Sequence, residues 1–265
     1  MIILVPMGGF GTRFSDAGYT INKPCIPTYD RHTGTTLPMV LCAIKDIPDS
    51  SNPANKIVCV NRDFHATNGT EATILSAFPE TVFIHDHVLL DQAFACLLAR
   101  DFLKSDEELF IGACDNGIDI DLKEFERKKL ESEVIMISHS GDQNIQRNPN
   151  AHSWAELEEN GKHIARISIK KTLGDDFMND HATTGMFWFK RASDFLKYLE
   201  QMIWEGETLQ EKHLVDRVLQ YCIDDGLKVG YHDVTYHCWG TPQDYEEFQN
   251  KYEYWSEYVD KDAHL

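Results

Sequence analysis

The first part of the chain alternates between short apolar runs and amphipathic stretches. The apolar runs are rich in β-branched residues and predict buried strands at Ile2–Val5, Lys56–Val60, Thr81–Ile84, Leu109–Ala113 and Glu133–Ser138. Helices are expected between them, near Leu37–Ile47, Phe64–Phe78, Asp91–Leu103 and Leu122–Leu130. Because strands alternate with helices, this part predicts βαβ units and a Rossmann-like α/β fold with a mostly parallel sheet flanked by helices.

The organisation changes after about residue 140. Ser153–Glu158 and His163–Lys170 flank Asn160-Gly161, which predicts a β-hairpin. Further strands are expected at Thr183–Phe189 and Lys228–His237, and further helices at Ala192–Trp204 and Leu209–Ile223. A closing helix is expected after them, and its apolar face would consist of Tyr245, Phe248, Tyr252, Trp255 and Val259. We predict a single domain, 1–265, in which an antiparallel lobe of the second half (141–265) covers the strand ends of the first half (1–140).

Charge and composition narrow the possible partners. The formal net charge is −18, which argues against binding to nucleic acid or to an anionic membrane surface. No apolar run reaches the roughly 18 residues that a membrane-spanning helix needs. The first residues read as a strand without the features of a signal peptide, so a cytoplasmic location is expected. The seven cysteines form no C-x-x-C pair, and Cys59 and Cys96, which lie inside apolar runs, are expected to be buried, reduced thiols.

A glycine-rich segment, Met7–Phe14, follows the first predicted strand directly. Its glycines allow close backbone approach, its N–H groups can form an anion-binding concavity, and Arg13 can bind phosphate oxygens with two donors. A P-loop would need Gly-Lys-Ser/Thr where this chain has Gly-Thr-Arg. A dinucleotide-binding turn would open directly into a helix, but Lys23-Pro24 and Pro27 interrupt one here.

Asp115 follows the Leu109–Ala113 run, which is apolar on both faces like a central parallel strand. Ligands of open α/β sheets bind at the carboxyl ends of strands, and a carboxylate there can hold magnesium beside phosphates. Asp115-Asn116-Gly117 also suits a plain turn. Asp119 and Asp121 form a D-x-D pattern, and we expect both to begin the following helix, where acidic residues suit the helix dipole.

Four segments together resemble one family. Gly8–Arg13 followed by Lys23-Pro24 resembles the G-G-x-G-T-R … P-K-P signature of sugar-1-phosphate nucleotidyltransferases. Phe110–Asn116 is similar to the family's apolar strand ending in aspartate, Thr184–Phe189 to its glycine-led aromatic strand, and Trp239–Asp244 to its G-T-P-x-D turn. The resemblance covers most of the chain. It implies an Mg²⁺-dependent enzyme that joins a nucleoside triphosphate to a small phosphorylated substrate, usually a sugar 1-phosphate, and releases pyrophosphate.

The resemblance also implies residue roles. Arg13 would hold the leaving β- and γ-phosphates, Lys23 would lie near the α-phosphate and the substrate phosphate, and Asp115 would hold the metal. The residues implied to bind the nucleotide are Met7, Gly8, Gly9, Gly11, Thr12, Gln92 and Asn116. Lys170 and Gly185 would contact the phosphorylated substrate, although a solvated strand-end lysine is an equal alternative for Lys170. Homo-oligomerisation is left open.

Departures from the family pattern leave alternatives open. Cys238 stands where many relatives carry a second metal aspartate, with Asp216, Asp233 and His237 as candidate substitutes. Gln92 lies in a segment that lacks the family's base-binding glycine, so the sequence does not identify the base of the nucleotide. Ile169 replaces the glutamate that often holds sugar hydroxyls. This favours as an alternative a cytidylyltransferase acting on a phosphorylated amino alcohol or amino-acid derivative.

Two further functions and two further segments also stay open. A glycosyltransferase using the D-x-D pattern and a non-catalytic nucleotide sensor are the competing functions. Arg31–Thr36 lengthens a normally short loop and is either a specificity loop or an exposed insertion. His85-Asp86-His87 is interpreted as a polar strand end and not as a metal site.

Overall fold

Strands and helices alternate through the computed structural model, which describes residues 1–87, 91–206, 209 and 213–262, with side chains up to Tyr252. The strands are β1 Ile2–Pro6, β2 Pro27–Asp30, β3 Thr35–Pro38, β4 Lys56–Arg62, β5 Val82–Asp86, β6 Leu109–Ile111, β7 Asn116–Asp119, β8 Val134–His139, β9 Trp154–Leu157, β10 Ile164–Ser168, β11 His181–Phe189, β12 Val229–Asp233 and β13 Thr235–Cys238. The helices are α1 Thr12–Asp16, α2 Met39–Lys45, α3 Asp63–Thr67, α4 Thr70–Ala77, α5 Gln92–Leu98, α6 Arg100–Leu103, α7 Leu122–Glu131, α8 Gln143–Arg147, α9 Ala192–Glu205, α10 Val218–Asp224 and α11 Pro242–Asp262.

The central sheet has the strand order β12-β8-β11-β6-β1-β4-β5. β11 runs antiparallel to β8 and β6, whereas the other neighbouring pairs along this order are parallel. The β9–β10 hairpin adds to the first residues of β11, and smaller two-stranded sheets are formed by β2–β3 and β7–β13. The predicted fold class, a mostly parallel α/β sheet with a smaller antiparallel part, is confirmed. Both predicted halves contribute strands to the central sheet.

The sheet is buried on both faces because helices cover each side. Along β1, Ile2 and Leu4 belong to a core with α5, α9 and α10, while Ile3 and Val5 belong to a core with α2 and α7. This alternation follows from the two-residue period of a strand. It explains why the strand reads as a continuous apolar run, as parallel strands covered on both faces do. In the described residues, no helix is both long and apolar enough to cross a membrane.

Several predicted elements are divided in the structure. The predicted helix 64–78 is two helices, because Gly69 adopts φ +91° at the break. The predicted helix 91–103 also ends and restarts, at Ala99. The predicted strand 228–237 is two strands in different sheets, since β12 pairs with β8 and β13 with β7. The predicted helix 209–223 starts too early, because Leu209, His213 and Leu214 are not helical, Val215–Arg217 form a 3₁₀ turn and α10 begins at Val218; residues 210–212 lie outside the described residues. The side chains of Trp255 and Val259 also lie outside the described residues.

Within the Arg31–Thr36 segment, residues 31–34 form the turn of the β2–β3 hairpin and Thr35 and Thr36 begin β3; the sequence did not predict this hairpin. Residues 32–36 are exposed, but the Arg31 side chain is buried against Asp46 and Asp119 with N–O distances of 2.7 and 2.9 Å. Interpreting the whole segment as an exposed insertion was therefore wrong for Arg31. Asp121 begins α7 as predicted, accepting hydrogen bonds from two backbone N–H groups. Asp119 does not, because it ends β7 and pairs with Arg31 and His237.

Candidate functional site

The glycine-rich segment lies at the carboxyl end of β1 and leads into α1. The Met7 N–H donates to the Val60 carbonyl at 2.7 Å, and the next N–H used in the described hydrogen bonds is that of Phe14, to Gly11. The N–H groups between them are therefore left for an anionic ligand. Gly11 has φ +67°, and a Cβ added to it would lie 3.0 Å from the Cβ of Lys23. Only glycine fits this position without strain.

Lys23 and Asp115 form an ion pair at the bottom of this loop. The Lys23 Nζ lies 2.5 Å from Asp115 Oδ2 and donates to the Gly240 carbonyl at 3.2 Å. The Trp239 N–H donates to the Asp115 carbonyl at 3.0 Å. Burial alone would lower the pKa of Lys23, but the adjacent Asp115 carboxylate outweighs it, so the pKa lies above its usual value. The glycine loop, the end of β6 and the turn before α11 thus meet at one point.

Two clefts open on either side of this point. The first, here called the loop cleft, has a volume of about 250 Å³. Its lining consists of Pro6, Met7, Gly9, Gly11, Lys23, Pro24, Gln92, Ala113, Cys114 and Asp115. The second, here called the side cleft, has a volume of about 510 Å³ and is lined mainly by polar residues. Gln92, the first residue of α5, lines both clefts and makes them neighbours.

The side cleft lies over the antiparallel part of the sheet. Lys170 enters it from the turn after β10, has φ +53°, and donates from Nζ to the Ala151 carbonyl at 2.6 Å. Gly185 lines it at a bulge of β11, with φ +83°. Lys170 thus lies in the left-handed region, which non-glycine residues seldom adopt and which is enriched at functional sites.

Three basic side chains line the side cleft. Arg13 is exposed and forms no ion pair with any described carboxylate. Lys170 lies 3.6 Å from Asp216, and Arg147 pairs with Asp244 at 2.8 Å and with Glu247 at 2.5 Å. Among the described residues lining this cleft, Arg13 is therefore the cation without a carboxylate partner, in a chain with a formal net charge of −18. Sequence reasoning missed Arg147, because it lies in a polar stretch without a recognisable motif.

The structure brings most of the predicted site residues together. Met7, Gly9, Gly11, Lys23, Gln92 and Asp115 line the loop cleft, and Arg13, Gln92, Lys170 and Gly185 line the side cleft. Gly8 and Thr12 belong to the same loop but line neither cleft. Asn116 lines neither, since it is buried in β7 with its Nδ2 donating to the Thr184 carbonyl at 3.3 Å. The geometry thus gives Asn116 no direct access to a nucleotide.

The candidate substitutes for a second metal ligand have other partners. Asp233 accepts a hydrogen bond from Ser138 and pairs with His181, while His237 pairs with Asp119 at 2.7 Å. Asp216 accepts from Ser153 at the far end of the side cleft. Cys238 itself lies close to Asp115, because a Cβ on Gly240 would be 3.6 Å from the Cys238 Sγ and 3.7 Å from Asp115 Oδ2.

Burial and the neighbouring carboxylates of Asp244 and Asp115 raise the pKa of the Cys238 thiol to about 12. Sulfur ligands suit soft metals, so Cys238 is a poor ligand for a hard cation such as magnesium. The histidines of His85-Asp86-His87 bind different carboxylates. His85 contacts Glu71 at 2.6 Å and His87 contacts Asp63 at 2.9 Å.

No protein-family model matches the chain, and no curated protein matches it in sequence. Solved structures share its fold. The nucleoside-diphosphate-sugar pyrophosphorylase from Vibrio cholerae RC9 has a TM-score of 0.70 at 17% identity, over 94% of this chain and 99% of that chain. The inositol-1-phosphate CTP transferase from T. maritima has a TM-score of 0.63 at 18% identity, over 95% and 96%. A UDP-glucose pyrophosphorylase complexed with UDP-glucose has a TM-score of 0.69 at 15% identity, over 95% of this chain and 98% of that chain.

Proposed function

We propose that this chain transfers a nucleotidyl group from a nucleoside triphosphate to a small phosphorylated acceptor, most often a sugar 1-phosphate, and releases pyrophosphate. The observation that carries the proposal is the Lys23–Asp115 pair. It lies below a glycine loop with unused N–H groups and beside the side cleft, into which Arg13 projects without an ion-pair partner among the described carboxylates. The similarity of fold to sugar-nucleotide pyrophosphorylases and to a CTP transferase supports it.

The two clefts suit the two substrates. The triphosphate would occupy the loop cleft, where the N–H groups between Met7 and Phe14 face its phosphates and Gln92 faces the base. The acceptor would occupy the side cleft, with its phosphate directed toward Lys23. Residues 1–140 would thus bind mainly the nucleotide and residues 141–265 mainly the acceptor, with Arg13 and Gln92 reaching across.

A magnesium ion fits this arrangement. Asp115 offers a partly exposed carboxylate at the carboxyl end of β6, and magnesium in proteins is commonly held by one or two carboxylates together with substrate phosphates and water. Asp115 would hold the ion, and the Cys238 sulfur would not, because magnesium prefers oxygen ligands. When bound, the ion would neutralise charge on the phosphates. Lys23, which lies at the same point, would face the reacting phosphates.

The transfer needs no protein base. A phosphate monoester has a second pKa near 6 and is largely dianionic at neutral pH, so its oxygen can attack the α-phosphorus directly. Lys23 would stabilise the charge that develops at the α-phosphate. Arg13, whose exposed side chain lies in α1 directly after the glycine loop, would turn from the side cleft toward the loop cleft and bind the leaving pyrophosphate with two donors. Positioning and electrostatic stabilisation supply the catalysis, as is general in phosphoryl transfer.

The competing glycosyltransferase function finds no support in the D-x-D pattern. Asp121 caps α7 and Asp119 pairs with Arg31 and His237, so the two carboxylates do not converge on one ligand.

Pyrophosphate release from each of the four common triphosphates tests the proposal. The acceptors would be sugar 1-phosphates, phosphoethanolamine and phosphoserine. The combination of triphosphate and acceptor that releases pyrophosphate identifies the base and the acceptor. Release should require both substrates and a divalent cation. Nucleotide binding without release from any pair would indicate a non-catalytic nucleotide sensor and overturn the proposal.

A further inference from the structure

The two-stranded sheet of β7 and β13, here called the ribbon, has one end at the Lys23–Asp115 pair. Asp115 directly precedes β7, and Trp239 and Gly240 directly follow β13. The Trp239 N–H donates to the Asp115 carbonyl at 3.0 Å, and the Gly240 carbonyl accepts from Lys23 Nζ at 3.2 Å. A shift of the ribbon would therefore move two groups that contact Lys23, the Asp115 carboxylate and the Gly240 carbonyl.

The ribbon is a sheet of its own, so the hydrogen bonds of the central sheet do not fix its place. A two-stranded sheet by itself is only marginally stable in water and needs packing against other elements. Ile118 supplies part of that packing, since it is buried in the core with α2 and α7. Polar contacts from the side of α2 add to it.

Arg31, in the turn of the β2–β3 hairpin, ties the ribbon to α2. Its side chain is 7% exposed and donates to Asp119, the last residue of β7, from Nε at 3.1 Å and from Nη2 at 2.9 Å. Nη2 also donates to the Ile118 carbonyl at 3.2 Å and to Asp46 at 2.7 Å. Asp46 directly follows α2, and its buried carboxylate accepts from the Ile118 N–H at 3.0 Å. Arg31 and Asp46 thus bind the same stretch of β7.

The contact is tightly packed around Gly117, the second residue of β7. A Cβ added there would lie 2.7 Å from Arg31 Nη1, 2.8 Å from Trp239 Cη2 and closer still to Asp46 Oδ2. The guanidinium of Arg31 also lies 6.0 Å from the centre of the Trp239 ring. The ribbon therefore has no space to move further toward α2.

We propose that Arg31 is a positioning residue, which fixes the ribbon against α2 and thereby holds Asp115 where it meets Lys23. Steric contact at Gly117 stops the ribbon from approaching α2, and the hydrogen bonds of Arg31 stop it from moving away. A displacement of about 1 Å at a reacting group can cost about 100-fold in rate, even when its cause lies far from the chemistry. The inference rests on the proposed function and assigns a role in it to a residue that lines neither cleft.

Arg31→Met removes this tie, and Lys45→Met is the matched control. Lys45, the last residue of α2, pairs with Asp30, the last residue of β2. This second ion pair joins the same two segments, and its carboxylate is as buried as that of Asp46, at 1% exposure. Within the described residues, Lys45 makes no hydrogen bond or ion pair with the ribbon. Each variant takes a cation from a buried carboxylate, but Arg31→Met alone also frees the ribbon.

Two measurements are made on each protein. One is steady-state kinetics with the best triphosphate and acceptor, and the other is hydrogen exchange of the ribbon segments 116–119 and 235–239. Arg31→Met should lower kcat by about 100-fold, the scale of a misplaced reacting group, with the triphosphate KM little changed. Its ribbon should exchange faster, while β1 and β4 exchange as in the wild type. Lys45→Met should keep both the wild-type kcat and the wild-type exchange of the ribbon.

If Arg31→Met does not fold, Arg31→Lys should show the same selective changes, since lysine keeps the charge but lacks the planar fork. Unchanged kcat in the Arg31 variant, or an equal fall in Lys45→Met, would overturn the inference and leave the nucleotidyltransferase intact. A fall in kcat without faster exchange of the ribbon would overturn it too. If the wild type releases no pyrophosphate with any triphosphate and acceptor, the proposed function is overturned. Faster exchange confined to the Arg31 variant would then still support the hold of Arg31 on the ribbon, and unchanged exchange would overturn both.

Discussion

Lys23 Nζ lies 2.5 Å from Asp115 Oδ2, so the turn after the glycine loop and the end of β6 are joined by one ion pair. Each of these residues has a role of its own in the proposed transfer, and the pair keeps both side chains at the junction of the two clefts. Both are partly shielded from solvent, which strengthens the attraction between them relative to a surface pair.

Replacing Lys23 with alanine should lower kcat more than it raises the triphosphate KM. The reason is that a charge near the α-phosphate matters most in the transition state. Lys45→Ala is the matched control, because Lys45 pairs with Asp30 away from both clefts and its loss should leave kcat unchanged. Steady-state kinetics on both variants decide the matter. A change confined to KM would show that Lys23 only helps binding.

Asp115→Asn should reduce turnover by at least about 100-fold, corresponding to about 3 kcal/mol of lost electrostatic stabilisation. Wild-type activity should disappear with a chelator and return with magnesium or manganese. Cys238→Ala should keep most activity, because magnesium prefers oxygen ligands to sulfur. Circular dichroism should show both variants folded. Intact turnover in Asp115→Asn, with the wild type still dependent on metal, would place the metal ligand elsewhere.

Arg13→Lys and Arg13→Ala should both lose turnover without losing stability. Lysine keeps the charge but cannot bind phosphate with two parallel donors, and Arg13 makes no ion pair with a described carboxylate that folding would need. Arg127→Ala serves as the control, since Arg127 pairs with Glu124 and Glu131 on the surface of α7. Near-normal rates in both Arg13 variants would exclude the assigned role.

Gly11→Ala should destabilise the protein and also impair catalysis. Alanine at φ +67° is strained by about 1–2 kcal/mol, and its Cβ would press on the Cβ of Lys23 at 3.0 Å. Gly9→Ala is the control, because its φ is not in the left-handed region and a Cβ there meets nothing within 4 Å. Thermal unfolding should separate the two variants. Equal melting temperatures would show that the loop can relax around Gly11.

Stability should fall as the pH is lowered from about 6.5 toward 4. Burial lowers the pKa of His65 and of His152 to about 4, so below pH 6.5 the unfolded chain binds protons that the folded chain does not. The stability that each histidine contributes is complete above pH 6.5. It is lost as the pH falls toward 4, at up to about 1.4 kcal/mol per pH unit. Denaturant unfolding between pH 7 and 5.5 measures this slope. His65→Gln and His152→Gln should each flatten it, and an unchanged slope in both would contradict the assignment.

The sequence by itself determined the elements whose signals are local. The apolar run before Met7, the glycines after it and the Leu109–Ala113 run each specify a strand or a turn through neighbouring residues alone. Because the carboxyl ends of parallel strands meet at one edge, the sequence also predicted that the glycine loop and Asp115 would face the same site. Side-chain alternation could not show that the 228–237 run divides between two sheets, since β12 and β13 carry the same kind of pattern.

Only the tertiary structure decided contacts between residues far apart in the chain. Asp119 looked like a helix-starting residue, but it pairs with Arg31, 88 positions earlier, and with His237, 118 positions later. Ser153 and Asp216 are 63 positions apart, and their hydrogen bond depends on how β9 and the turn before α10 pack against each other. Such pairings depend on the path of the whole chain, because burial makes a charged group pair with whichever partner the fold brings near. Local sequence carries no record of that partner.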